Sequence, residues 1–277
     1  MKVRTLNQLV GIVGVLLVAG PARAQHGHLE AGAFGVKQND QLYFDNGADF
    51  ITNSGYVKTL TYTNGGRFAG YYEGNITLTA LAATPAFGGP VPNAPALGSF
   101  IQAQLVSVDG PAGGSFGFWE AGSTNPTYSL LSGESGTNMF RLTESDGSPG
   151  TDPYGHIHGR RFTATQPGFY TVGFRLVDTS TNGTNGGPIH TASGVLPIYF
   201  QAGITIVSTA KTGDVMTISY GSITNRTFAL EYTTNLLSPS DWESAGPPLP
   251  GTDLLQSQSD TNVTSARRFY RIRATTP

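Results

Sequence analysis

The chain has 277 residues, with 16 Lys and Arg against 18 Asp and Glu, 37 Gly, 17 Pro and no Cys. The lack of Cys excludes disulfides and thiolate metal sites, so any bound metal must be held by nitrogen and oxygen. Only 12% of residues are charged and no basic cluster occurs, which argues against nucleic acid or an anionic membrane surface as partner.

The first 24 residues read as a signal peptide. Lys2 and Arg4 precede the apolar run "LVGIVGVLLVAG" (9–20), which is too short to span a bilayer, and Ala22 and Ala24 in "PARA" are the small residues a signal peptidase reads. Cleavage after Ala24 is expected, so the mature chain begins Gln25-His26-Gly27-His28. The leader holds three basic residues and no acid, leaving 13 basic against 18 acidic residues and a formal charge of −5. No later apolar run reaches transmembrane length. The expected location is secreted, periplasmic or cell-surface.

From there the pattern is β. "QLYFD", "YVKTLTYT", "GNITLTAL", "SFIQAQLVSVD" and "SFGFWE" are short runs rich in β-branched and aromatic residues, each bounded by Gly, Asn, Asp or Pro. "GFYTVGFRLVD" alternates most cleanly: Tyr170, Val172, Phe174 and Leu176 share one face, and Phe169, Thr171, Gly173 and Arg175 the other. The stretches 81–98 and 180–194 read as long loops. Composition shifts near Gly203. Beyond it, alternation at Phe228, Leu230 and Tyr232, and at Tyr270 and Ile272, predicts a small sandwich of about six strands with one buried face per strand. The expected fold is all-β: an antiparallel β-sandwich of the Ig or jelly-roll kind over 25–202, then a smaller β domain over 203–277.

Histidine placement carries the chemistry. Four of the five His form two His-x-His pairs, His26 with His28 and His156 with His158. Random placement gives roughly a tenth of one such pair in a chain this long. In a strand, residues i and i+2 share a face, so "HIH" would project two imidazoles one way with Ile157 toward the core. Two such rings converge on a metal with bonds of about 2 Å. The second pair closes a four-nitrogen site if the N-terminal segment docks beside the "HIH" strand, with His190 on the long loop as a fifth participant or lid. Neutral imidazoles suit Zn²⁺, with Cu²⁺ or Ni²⁺ competing. A copper chelate or copper brace at the new N-terminus is a narrower version that requires cleavage one residue later.

Other groups are weaker. "DNGAD" (Asp45–Asp49) lacks the further loop ligands of a Ca²⁺ site and reads as a solvated turn. Of Glu144, Asp146 and Asp152, one carboxylate is placed to orient a ligand His. Trp119 reads as core or sandwich rim, with Glu120 a minor candidate for an oxygen ligand, and "ARRFYRIR" reads as a solvated face. H-E-x-x-H, G-x-S-x-G, phosphate-loop and Cys-nucleophile signatures are missing, so no catalysis is expected.

"GSFGFWEAGSTNPTYSL" and "DPYGHIHGRRFTATQPGFYTVGFRLVDTS" resemble the surface-anchored, metal-associated domain of actinobacterial cell-wall repeats. They resemble still more the exported proteins controlled by the zinc uptake repressor. In both, a Trp-containing strand precedes an H-x-H strand running into F-T-x-x-x-P-G-x-Y. "HGHLEAGAF" is similar to the His-rich mature start of the second group, with one His pair in place of its longer run. The resemblance covers about residues 25–200. It implies an exported β-sandwich concerned with zinc or a similar metal, with His26, His28, His156 and His158 as ligands. "FALEYTTNLLSPSDWESAG" with "RRFYRIRA" resembles a C-terminal β module of secreted Verrucomicrobia-type proteins, which implies no chemistry. The expected role is extracytoplasmic metal capture, delivery or storage, with a metal transporter or cell-surface component as partner. The rival is a surface adhesion protein binding glycans or proteins, its metal structural or absent; a copper-dependent oxidase ranks third.

Overall fold

Turn residues break the chain into strands too short to bury anything alone, so the fold stacks them into sheets closed around aromatic side chains. A computed structural model of the chain describes residues 28–51, 56–156, 159–222, 226–237, 241–252, 255–265 and 267–275. Among these, regular structure is all-β, with no α-helix and no apolar helix long enough to cross a membrane.

The first strands are β1 Leu29–Ala33, β2 Leu42–Phe44, β3 Lys58–Tyr62, β4 Tyr72–Gly74, β5 Leu78–Ala80, β6 Ile101–Asp109 and β7 Ser115–Trp119. There follow β8 Tyr128–Leu131, β9 Met139–Arg141, β10 Gly155–His156, β11 Arg161–Ala164, β12 Gly168–Asp178 and β13 Leu196–Ala202. One sheet runs β10-β5-β1-β2 and a second β8-β7-β11-β4-β3-β13-β12-β6-β9. Pairing is antiparallel except for β1 with β5 and β13 with β3.

The nine-stranded sheet curls until its ends meet. Phe118 on β7 stacks on Phe140 of β9 at 4.2 Å although the two strands lie near opposite ends of the sheet order. Beyond β8, Gly133 and Gly136 donate amide hydrogen bonds to Val108 and Val106 of β6, carrying the chain across the gap. Phe162 at the centre lies within about 6 Å of Phe116, Phe118, Phe140, Phe174 and Phe200, the usual separation for attractive ring pairs. As the alternation predicts, Tyr170, Val172, Phe174 and Leu176 are all buried. The four-stranded sheet lays Leu29, Ala31, Leu78 and Ala80 onto the same core, making the sandwich.

The remaining strands are β14 Ile206–Thr212, β15 Val215–Gly221, β16 Thr227–Thr233, β17 Glu243–Ser244, β18 Leu249–Pro250, β19 Leu255–Asp260 and β20 Phe269–Thr275. They form one sheet β14-β15-β19 and another around β16, which pairs with β17, β18 and β20. No pairing among the described strands joins β13 to β14 or anything beyond it. Val57, Phe169 and Ile204 pack against Tyr220 and Phe228, and the Arg226 guanidinium donates to the Val57 carbonyl at 3.0 Å.

Two expectations fail in this region. Strand β16 buries both faces, since Ala229, Glu231 and Thr233 are as enclosed as Phe228 and Leu230. The "ARRFYRIR" stretch is not a purely solvated face either. Register sets Arg271 opposite Glu231 and Arg273 opposite Ala229, and both guanidinia reach the Glu231 carboxylate, at 2.7 and 2.6 Å. Arg268 pairs with Asp260 at 2.5 Å. Buried carboxylates are tolerated here because arginines neutralise them.

Candidate metal centre

Register across three strands assembles the histidine face. Leu29 pairs with Leu78, Glu30 with Thr79, and His156 with Thr79 from the other side. Leu29, Leu78, Ala80 and Gly155 are buried, while Glu30, Thr79 and His156 are half-buried in one row on the opposite face. His28 lies two residues before Glu30 and so shares that face. Strands β1 and β10 do not pair with each other. They flank β5, roughly 9.5 Å apart at ordinary strand spacing, so β1 stands one strand away from β10. The short Thr79 side chain lets the rings close over it, and His28 and His156 meet with ring centroids 4.4 Å apart and planes tilted by 46°. Two imidazoles bonded to one metal at about 2.0–2.1 Å place their nitrogens roughly 3.3 Å apart, a separation that rings this close reach by small rotations.

Each histidine is fixed through its backbone. The Asn46 side chain clamps the start of β1, donating to the His28 carbonyl at 2.6 Å and accepting from the Glu30 amide at 2.9 Å. The Glu144 carboxylate accepts the His156 amide at 3.0 Å, and the Glu144 amide donates to the Tyr154 carbonyl at 2.8 Å. Gly155 makes that approach possible. A Cβ there would fall 1.7 Å from the Leu142 carbonyl oxygen. His28 Nδ1 also lies 3.4 Å from Thr79 Oγ1, a long contact by hydrogen-bond standards. Glu30 has its carboxyl pushed above the ordinary range, chiefly by burial and then by Asp45, against an opposing pull from His28.

His26, Ile157 and His158 lie outside the described residues. Among the described ones, no three His, Asp or Glu side chains are grouped to hold a metal. His190 is committed elsewhere. It is 2% exposed, its Nε2 accepts the Ala96 amide at 2.9 Å, and its Nδ1 donates to the Asp40 carbonyl at 2.9 Å. Both ring nitrogens are occupied, which leaves no lone pair for a metal. Its work is to staple the two long loops, not to close a site. His190→Ala is expected to strand two buried backbone groups and cost about 2–4 kcal/mol, measurable by urea unfolding, with zinc stoichiometry unchanged.

The lesser candidates resolve into structure. Asp152 Oδ1 accepts the Ala83 and Tyr154 amides at 3.2 and 2.8 Å, and Asp146 accepts the Ser148 amide at 2.9 Å. Asp45 accepts from Tyr43 and from Asn93. Trp119 is core, its indole N–H donating to Thr163 at 2.8 Å, and Glu120 pairs with Arg160. Sequence reasoning missed Asn46, whose role depends on a contact between segments 18 residues apart. It did single out Glu144, though the carboxylate meets the histidine backbone.

Beside the face opens a cleft of about 380 Å³ lined by His156, Arg141, Arg160, Glu120, Glu144 and Thr143. The chain matches no protein-family model, no curated protein and no solved structure.

Proposed function

We propose that the protein is an exported metal-binding protein that holds a transition metal, Zn²⁺ before Cu²⁺ or Ni²⁺, for capture, delivery or storage outside the cytoplasm. The observation that carries this is the meeting of His28 with His156, residues 128 positions apart in a chain of five His. One member of each His-x-His pair is brought to one spot, on a half-buried face where the core has no use for imidazole. His26 and His158, each two residues from a member of the meeting pair, are the nitrogens proposed to complete the set. Neutral nitrogen donors without thiolate suit a borderline cation that must also be released.

Zinc titration of the chain beginning at Gln25, beside its His28→Ala/His156→Ala counterpart, tests this. Isothermal calorimetry and elemental analysis should find about one zinc per chain in the first and none retained in the second. Equal metal content in the two proteins would sink the proposal. Both residues are half-buried and lie outside the apolar core, so thermal unfolding of the metal-free proteins should agree within about 1 kcal/mol.

A further inference from the structure

We infer that the outer face of β20 binds an anionic polysaccharide, a chain of sugars carrying carboxylate or sulfate groups. Alternation puts Arg267, Phe269, Arg271 and Arg273 on one side of the segment that runs into β20. Register seats them over β16, with Phe269 opposite Thr233, Arg271 opposite Glu231 and Arg273 opposite Ala229. Arg267 lies over the Phe269 ring at 5.7 Å, and Arg271 over the Trp242 ring at 4.2 Å. Guanidinia and rings thus form one row, roughly 20 Å long at the rise of a strand. Phe228 and Ile272 turn the other way, into the C-terminal core.

The face carries more positive charge than its own structure needs. One guanidinium is enough to neutralise the buried Glu231 carboxylate, yet two reach it. Each does so through Nε, and their side chains stay 41% and 51% exposed. No other side-chain hydrogen bond joins either guanidinium to a described residue. Arg267 is exposed, and no acid lies within ion-pair distance of it among the described residues. Strands β16, β17, β18 and β20 hold one further acid, Glu243, which pairs with Tyr232 and accepts its hydroxyl on the opposite face. Three positive charges against one negative leave the row at +2, in a chain whose formal charge is −2.

The layout of the row selects the ligand. Guanidinia set along a line with rings between them match an extended polymer whose charges are separated by apolar surface. The Nη donors left over can grip a carboxylate or sulfate through directed bonds. An acidic pyranose offers that combination, its acid group at the rim of a ring whose C–H face packs on aromatic carbon. A nucleic acid presents phosphates far more densely and is held by neutralising many of them. Three arginines in an acidic chain are too few for that.

Fluorescence titration in EDTA tests this, with polygalacturonate and dextran sulfate as probes and neutral dextran as control. Trp242 lies in the row, so its emission should shift on binding, while Trp119, 1% exposed in the core, holds steady. At least one anionic polymer should bind, less tightly as salt is raised, and the tighter of the two identifies the anionic group. Arg267→Gln, which breaks no ion pair, should weaken binding by about threefold. Arg267→Gln/Arg273→Gln should weaken it by more than about tenfold, with Arg271 left to neutralise Glu231 and a thermal melt to verify folding. No response to either anionic polymer, an equal response to neutral dextran, or unchanged affinity in both variants would overturn the inference. Tighter binding of single-stranded DNA or of polyglutamate would overturn the assignment to a polysaccharide. With metals held by EDTA, none of these outcomes bears on the metal reading.

Discussion

Gly155→Ala is expected to lower the thermal midpoint by roughly 10–15 °C and to abolish zinc binding, although it adds one methyl group and touches no histidine. The added Cβ would sit 1.7 Å from the Leu142 carbonyl oxygen and 2.9 Å from the Glu144 amide nitrogen. Both are backbone atoms, so no side-chain rotation relieves the clash. Strand β10 must then move away from the Leu142–Glu144 segment. That breaks the Glu144–His156 hydrogen bond and the Glu144–Tyr154 amide bond, and draws the His156 ring from His28. A forced backbone shift with lost hydrogen bonds belongs among the more severe single substitutions, about 3–5 kcal/mol, and in a domain of this size each kcal/mol moves the midpoint by about 2–4 °C. Gly194→Ala is the control. Nothing lies within 4 Å of a Cβ at that position, so its midpoint should hold or rise slightly as the unfolded chain loses entropy. Calorimetric melts of the three metal-free proteins, followed by zinc titration, check both halves. A Gly155→Ala protein with unaltered midpoint and zinc affinity would mean that the close approach of β10 does not position the site.

Most of the strands were legible because each carries its own signal. "GFYTVGFRLVD" alternates over eleven residues and forms the long β12 with the anticipated face inward. "LEAGA", "YEG" and "MFR" have no such signal, yet they are strands β1, β4 and β9. Small residues and three-residue lengths carry too little pattern, and their partners stabilise them from outside. The histidine pairs could be picked out by spacing alone, and His28 does meet His156. What spacing could not provide was β5 between them, a strand contributed by residues 78–80 whose pairing to both neighbours is a matter of topology. His190, expected as a fifth participant or lid, turns out to hold backbone groups with both ring nitrogens. Nothing in the spacing of a long polar loop shows that it folds inward, where His190 meets Ala96 and Asp40. Arginines near the C-terminus were read by alternation, which says which face they occupy but not that Glu231 and Asp260 lie buried beneath them.

Arg268→Met is expected to destabilise the C-terminal sheets by about 3–5 kcal/mol, the range found when one partner of a buried pair is removed and the other charge is left behind. The side chains of Arg268 and Asp260 are 7% and 5% exposed, and Arg268 also lies over the Tyr232 ring at 4.0 Å. Burial alone would raise the Asp260 carboxyl. Hydrogen bonds from the Asn262 amide, Arg268 and Tyr270 outweigh it and hold the group below the usual carboxylate range. For Glu231, too, burial is outweighed, there by Arg273 and Arg271, with the same downward result. A carboxylate depressed in the folded state contributes stability that is present above its unfolded value, near pH 4, and lost as pH falls through the lower folded one. The unaltered protein should therefore lose stability steeply on acidification below about pH 4. In Arg268→Met the Asp260 share of that dependence shrinks or reverses, since the unpaired buried carboxyl now takes up a proton more readily folded than unfolded. Pairing the change with Asp260→Asn should recover part of the loss, because a neutral amide keeps Tyr270 within reach without leaving a charge unmatched. Urea unfolding of the single and double variants at pH 7 and pH 4, followed by Trp242 fluorescence, separates these cases. Trp242 is stacked with the Arg271 guanidinium at 4.2 Å, so its emission reports the sheet in which the arginines sit. If Arg268→Met and the double variant were equally stable at both pH values, the unpaired Asp260 charge would cost nothing and the acid sensitivity would have to come from carboxylates elsewhere.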